Sequence, residues 1–247
     1  NAARGLADTV SYTINQFIGS FQVAAVPQLT KYYAQGDKMN FEKLIFNISQ
    51  YTIFLLGFFC VPVVLEIDYV LKLWLTKVPE YTADFIRIGL VCNIVGYSNS
   101  MIDQGIVATG KVKEMNLFGI PVYLINLPLV YLVLKLGWYP PLIYLVGSIP
   151  ALAHFIVNLY ILSKNADFPA RRYFMQIFCK NFMLIALAFI VPGLVQMQIS
   201  NGLIRFLVVC TLSVVSVVAI MYTFAFNKEV RGMVNQKICS ILHIKSE

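Results

Sequence analysis

Charge is what this 247-residue chain has least of: Asp, Glu, Lys and Arg together supply 13% of it, about half the share of a typical soluble domain. Hydrophobic residues supply 59% and the mean hydropathy is +0.73, which excludes a water-soluble globular domain. Cysteine pairing is missing too. Cys60, Cys92, Cys179, Cys210 and Cys239 are scattered with no CxxC, so neither a disulfide framework nor a zinc site is expected. No P-loop, no Ser/His/Asp set and no long extramembrane loop is present, so ATP hydrolysis is excluded by motif and the chain is read as not an enzyme. No cofactor or metal is expected. The net charge of +7 comes without any basic–aromatic RNA motif, so no nucleic-acid partner is expected. The chain opens at Asn1 with neither an initiator Met nor a signal peptide, partway into a helix approach, and is expected to be part of a longer protein.

What is present is a series of apolar segments. A membrane-spanning helix needs ~20 predominantly apolar residues, and segments of that kind fall at 7–30, 44–65, 84–108, 115–136, 141–163, 174–197 and 203–226. The fold class is therefore all-α, a polytopic transmembrane helix bundle of about seven spans. Alternating the connections puts 13 of the 19 Lys and Arg residues on one side, which makes that side cytoplasmic. Asn1 is then outside and Glu247 inside, with Trp74 and Trp138 at the outer interface. From Lys228 the apolar residues Val230, Met233, Val234, Ile238, Ile241 and Leu242 share one face of a basic helix, a pattern for a tail on the inner leaflet or a frayed end.

Two of the segments are too polar to be ordinary lipid-facing spans. In the first, which Pro27 breaks near its inner end, Asp8, Ser11, Asn15, Gly19 and Gln22 make one stripe and Val10, Ile14, Phe17 and Phe21 the opposite one. The third carries Arg87, then Asn93, Ser98, Asn99, Asp103 and Gln104, with Gly110 placed to cap its inner end. A polar row facing hydrocarbon is expensive, so such rows either line a wet cavity or hydrogen-bond to neighbouring helices. The substrate-cavity candidates are Arg4, Asp8, Ser11, Asn15, Gln22, Arg87, Asn93, Asp103 and Gln104. Arg4 and Arg87 are the cations nearest the outer half, although both sit close enough to helix ends to snorkel. Asp8 and Asp103 are candidates for cation or proton coupling, against a plainer role in ion pairs such as Asp8 with Arg4. His154 reads first as a histidine bonded to a neighbouring helix, and second as a proton relay. Prolines inside spans, at 62, 121, 128, 150 and 192, invite kinks and suggest a protein that moves.

NAARGLA, the polar helix ending VPQLTKYYAQGD, then LWLTKVPEYTADFIRI and ATGKVK resemble, in order and at natural spacing, the carboxy-terminal half of the oligosaccharide (O-antigen-type) flippases. These are polysaccharide-biosynthesis exporters of the MATE-like multidrug/oligosaccharidyl-lipid/polysaccharide exporter superfamily. PQLTKYYAQGD and ATGKVK are the more specific stretches. The resemblance implies a MATE-like second lobe without its first helix, plus two extra helices. Residues 1–163 would be the five-helix part of the lobe, 164–227 the additional pair, and 228–247 a cytoplasmic basic tail. It also implies movement of a polyprenyl-diphosphate-linked oligosaccharide from the inner to the outer leaflet of a bacterial cytoplasmic membrane, for surface polysaccharide such as lipopolysaccharide. The partners would be that lipid-linked glycan, membrane lipids and a missing amino-terminal lobe. Two alternatives stay open: a membrane-embedded glycan polymerase or ligase, and a MATE-like exporter of small molecules.

Overall fold

The computed structural model describes residues 2–225, and among them every regular element is helical. In chain order these are α1 (Ala2–Val23), α2 (Val26–Ala34), α3 (Lys38–Trp74), α4 (Thr82–Ala108), α5 (Val112–Leu124), α6 (Asn126–Lys135) and α7 (Leu142–Ala166). Then come α8 (Ala170–Tyr173), a π-helical turn (Phe174–Cys179), α9 (Lys180–Ala188), α10 (Ile190–Gln198), α11 (Leu203–Ile220) and a second π-helical turn (Met221–Ala225). The tail expected over 228–247 lies outside the described residues. Six helical stretches are long and apolar enough to cross a membrane: α3, α4, α5–α6, α7, α8–α10 and α11 with the turn after it. The first segment is helical as expected, but α1 is too polar to join them despite its 22 residues.

Prolines explain where spans break. A proline lacks an N–H and its ring collides with the carbonyl four residues earlier. Pro27, Pro128 and Pro192 therefore forbid continuous helix past Val23, Leu124 and Ala188, and these are the last residues of α1, α5 and α9. Pro62, Pro121 and Pro150 are instead carried inside helices that continue past them. The one non-helical residue within α3 is Glu66 (φ −104°, ψ 15°). Around it the carbonyl of Val64 accepts from Arg87 Nε and that of Leu65 from Gln196 Nε2, so side chains replace the lost ladder.

The turns are set by local chemistry. Gly36 (φ 71°) and Gly110 (φ 74°) hold the left-handed conformation that closes α2 and α4. After α4, Gly110 N–H bonds to the Val107 carbonyl and Lys111 N–H to the Ile106 carbonyl, the paired closure of a Schellman end. Gly110 thus takes the capping place expected of it. Asp37 caps α3, accepting from Asn40 N–H at 3.1 Å, and the Asn40 side chain holds its carboxyl below the usual range.

At the centre stands α4, packed against α7, α3 and α1. Leu90, Met101, Ile102 and Ile106 of α4 are fully buried with Ile45, Ile53 and Leu56 of α3 and Phe155 and Leu162 of α7. Between membrane helices the drive is close packing rather than escape from water. Gly105 serves it: a Cβ there would stand 3.1 Å from both Ile45 and Leu162. The helices after α7 are sewn to α3 by polar bonds. Tyr173 Oη donates to Ser49 Oγ at 2.6 Å, Gln50 and Asn181 exchange amide bonds, and buried Glu66 pairs with Arg205 at 3.0 Å.

Candidate functional site

Two polar regions flank α4, and they differ in kind. Toward one end, α1, α4, α6 and α7 enclose a cleft of about 690 Å³. Arg4, Asp8, Ser11 and Asn15 line it from α1, Asn93 from α4, Asn126 from α6, and Tyr144 and Ser148 from α7. α4 turns two small residues to the hollow: a Cβ on Gly96 would meet nothing within 4 Å, whereas one on Gly89 would touch the Tyr144 ring at 3.5 Å. Arg4 Nε lies 3.6 Å from Asp8, and Tyr144 Oη donates to the same carboxylate. Both members of the pair are more than half exposed. An ion pair so wetted contributes at most ~1 kcal/mol, so an incoming anion recruits Arg4 at little cost. Asn93 Nδ2 reaches Asn15 Oδ1 at 3.4 Å across the hollow. Asn126 Oδ1 is buried there with no hydrogen-bond partner.

Further along α4 the polar row closes on itself. Asn99 Nδ2 donates to both Asp103 carboxylate oxygens at 3.0 Å, and Asn158 Nδ2 of α7 donates to Asp103 Oδ1 at 2.5 Å. Buried His154 sits over this pair, its Nδ1 3.3 Å from Asn99 and 3.4 Å from Tyr123 Oη of α5. Gly119 of α5 is what lets the imidazole fit, since a Cβ at that position would lie 2.6 Å from His154 Nε2. The knot binds its members to one another, with Asn158 Oδ1 left buried and unpartnered. His154 is bonded to neighbouring helices, as its first reading expected.

The nine candidates thus separate. Arg4, Asp8, Ser11, Asn15 and Asn93 come together in the cleft. Gln22 is buried and donates to Thr52 at 3.1 Å and Ser100 at 2.6 Å, tying α1 to α3 and α4. Asp103 belongs to the knot. Arg87 lies outside the cleft, clamped by Asp68 at 2.5 Å and Asp84 at 3.4 Å. Asp84 also accepts from Tyr139, whose phenol, in the α6–α7 turn, is pushed up to about 12 by that carboxylate. Gln104 is half-buried and lines neither region.

Sequence reasoning missed Asn126, Tyr144 and Ser148, which sit in spans too apolar to stand out. It also missed a second polar row on α1. Thr9, Thr13 and Ser20 are exposed and return their hydroxyls to the carbonyls four residues earlier, while Gln16 donates to Tyr12. Spacing was the available signal for this row, since Thr9, Thr13, Gln16 and Ser20 recur at helical period.

Chemically the cleft offers amides, hydroxyls and one displaceable cation. No group of three or more His, Cys, Asp or Glu gathers at a metal-sized position among the described residues. Comparison with known proteins finds no matching protein family, no matching curated protein and no matching solved structure.

Proposed function

We propose that this chain forms one wall of the cavity of a membrane flippase, moving a polyprenyl-diphosphate-linked oligosaccharide from the inner to the outer leaflet of a bacterial cytoplasmic membrane. The supporting observation is the cleft between α1, α4, α6 and α7. Sugar hydroxyls crossing hydrocarbon need substitutes for water, which Ser11, Asn15, Asn93, Asn126 and Ser148 supply. A diphosphate needs a cation, and Arg4 is the one within the hollow. Two of the cleft's walls, α1 and α6, border proline-made breaks, next to Pro27 and Pro128 respectively. Breaks of that kind let part of a wall tilt while its neighbours stay packed. Each uncompensated negative charge moved outward against an inside-negative potential gains roughly 2.3 kcal/mol per 100 mV, so the potential favours export.

The test is leaflet transfer in proteoliposomes containing a fluorescent polyprenyl-diphosphate oligosaccharide. Wild-type protein is expected to expose the sugar on the opposite leaflet, and an Asn15→Leu/Asn93→Leu double variant to do so at least several-fold more slowly. Glycosidic bond formation by the purified protein without leaflet transfer would replace this reading with that of a polymerase or ligase.

A further inference from the structure

A second cavity, of about 580 Å³, lies on the other side of α3 from the cleft helix α1, between the first turns of α3 and the stretch from α8 to α9. Lys43, Asn47 and Gln50 face it from one wall, and Arg172, Gln176 and Lys180 from the other. Three cations therefore meet a single lining carboxylate, Glu42. Arg172 is held at 3.0 Å from Glu42 and with its guanidinium 5.2 Å over the Phe46 ring. Gln50 is fixed by its reciprocal bonds to Asn181, 2.7 and 3.2 Å.

Lys180 is the residue that demands explanation. At ~1.5 Å per residue it stands about 15 Å along the helical stretch from Ala170, inside a segment apolar enough to cross a membrane. It is exposed and has no carboxylate partner among the described residues. An ammonium inside a spanning segment needs water at the interface or an anion to reach it. The wall beside it is the π-helical turn, a distortion that recurs at functional sites and here carries Gln176.

We propose that this cavity seats the phosphate headgroup of an anionic glycerophospholipid. Arg172 and Lys180 take the phosphodiester, and the Asn47, Gln50 and Gln176 amides take glycerol and ester oxygens. The cavity runs beside membrane-length helices and has Phe46, Met39 and Ile177 in its lining, so a ligand with a polar head and an apolar body suits it better than a free anion. This end of the bundle gathers Lys38, Lys43, Lys111, Lys164, Arg171 and Arg172, which by the positive-inside rule is the cytoplasmic leaflet.

Native mass spectrometry of the purified protein in an uncharged detergent tests this, with phosphatidylglycerol, phosphatidylcholine and inorganic phosphate titrated in turn. Phosphatidylglycerol is expected to bind saturably and to outcompete phosphatidylcholine. Lys180→Gln and Arg172→Gln should each weaken it roughly tenfold, the loss of one charge-assisted contact. Lys180→Arg should restore binding, and Lys113→Gln, on a basic turn away from the cavity, should leave it unchanged. Equal binding of the two lipids, or equal loss in Lys113→Gln and Lys180→Gln, would overturn the proposal. Inorganic phosphate displacing the lipid at matched concentration would overturn it in favour of a free-anion site. If Lys180→Gln yields no folded protein, the Arg172→Gln result decides.

Discussion

The two polar stretches of α4 have similar composition and opposite fates. Asn93 looks across an open cleft at Asn15, while Asn99 and Asp103, two turns on, are bound to α7 through Asn158 and His154. What separates them is where the small residues fall. Gly96 leaves open space at the cleft, while Gly119 faces the knot and lets His154 close it. The same asparagine amide thus serves as a wet lining in one place and as glue in the other. Polarity marks a membrane helix as unusual, but the neighbours' volume decides whether it is a path or a seam.

Mutations that exchange these roles should fail unequally. Asn158→Leu removes a donor from the half-buried Asp103 carboxylate, and is expected to destabilise the fold by about 2–3 kcal/mol, read as a lower melting temperature in detergent. Gly119→Ala drives a methyl into the imidazole and should cost about 1–3 kcal/mol, whereas Gly96→Ala, with open space before it, should leave stability equal or slightly higher. A Gly119→Ala protein that melts like wild type would erase the distinction between seam and path. Gln22→Leu abandons Thr52 and Ser100 and should cost about 1–2 kcal/mol, with the leaflet transfer proposed above falling only as folded protein falls. Asn15→Leu should do the reverse: stability within about 0.5 kcal/mol, normal insertion, and slower transfer.

The smallest effect lies outside both regions. Asp37 is held below the usual carboxylate range by Asn40 in the folded protein. The stabilisation from its cap is therefore complete above the unfolded value and fades as pH falls through the folded one. Asp37→Ser keeps a capping oxygen without a titrating group. Its melting temperature should fall less than that of wild type between about pH 5 and pH 2.

Much of this architecture is legible in the sequence. The places of the helical stretches follow from apolar runs, the end of α4 from Gly110, and the break after α1 from Pro27, although α3 runs well past its 44–65 apolar run at both ends. The Arg4–Asp8 pair follows from i, i+4 spacing. The cleft is half legible. Ser11, Asn15 and Asn93 announce themselves as polar residues in membrane helices, but their partners come from far along the chain: Tyr144 reaches Asp8 across 136 positions. Gln22 cannot be distinguished from Asn15 by periodicity, because both lie on one stripe. The difference arises from what stands opposite: buried Gln22 meets Thr52 and Ser100, while Asn15 lines the cleft and meets only Asn93, at 3.4 Å. Arg87 falls outside the cleft for a related cause. Its carboxylate partners Asp68 and Asp84 sit at a bend of α3 and the first turn of α4, and no one-dimensional pattern brings that corner together.

The buried link between Glu66 and Arg205 has a practical consequence for anyone trimming this protein. Glu66 is wholly enclosed and Arg205 nearly so, and stripping such a carboxylate of its counter-charge costs about 3–5 kcal/mol. Deleting everything after position 199 would thus strand an acid at the bend of the longest helix, with the amide brace from Gln196 left as its nearest support. A version cut at that point would need Glu66→Gln or an apolar replacement alongside the cut, or it should be recovered mostly as aggregate.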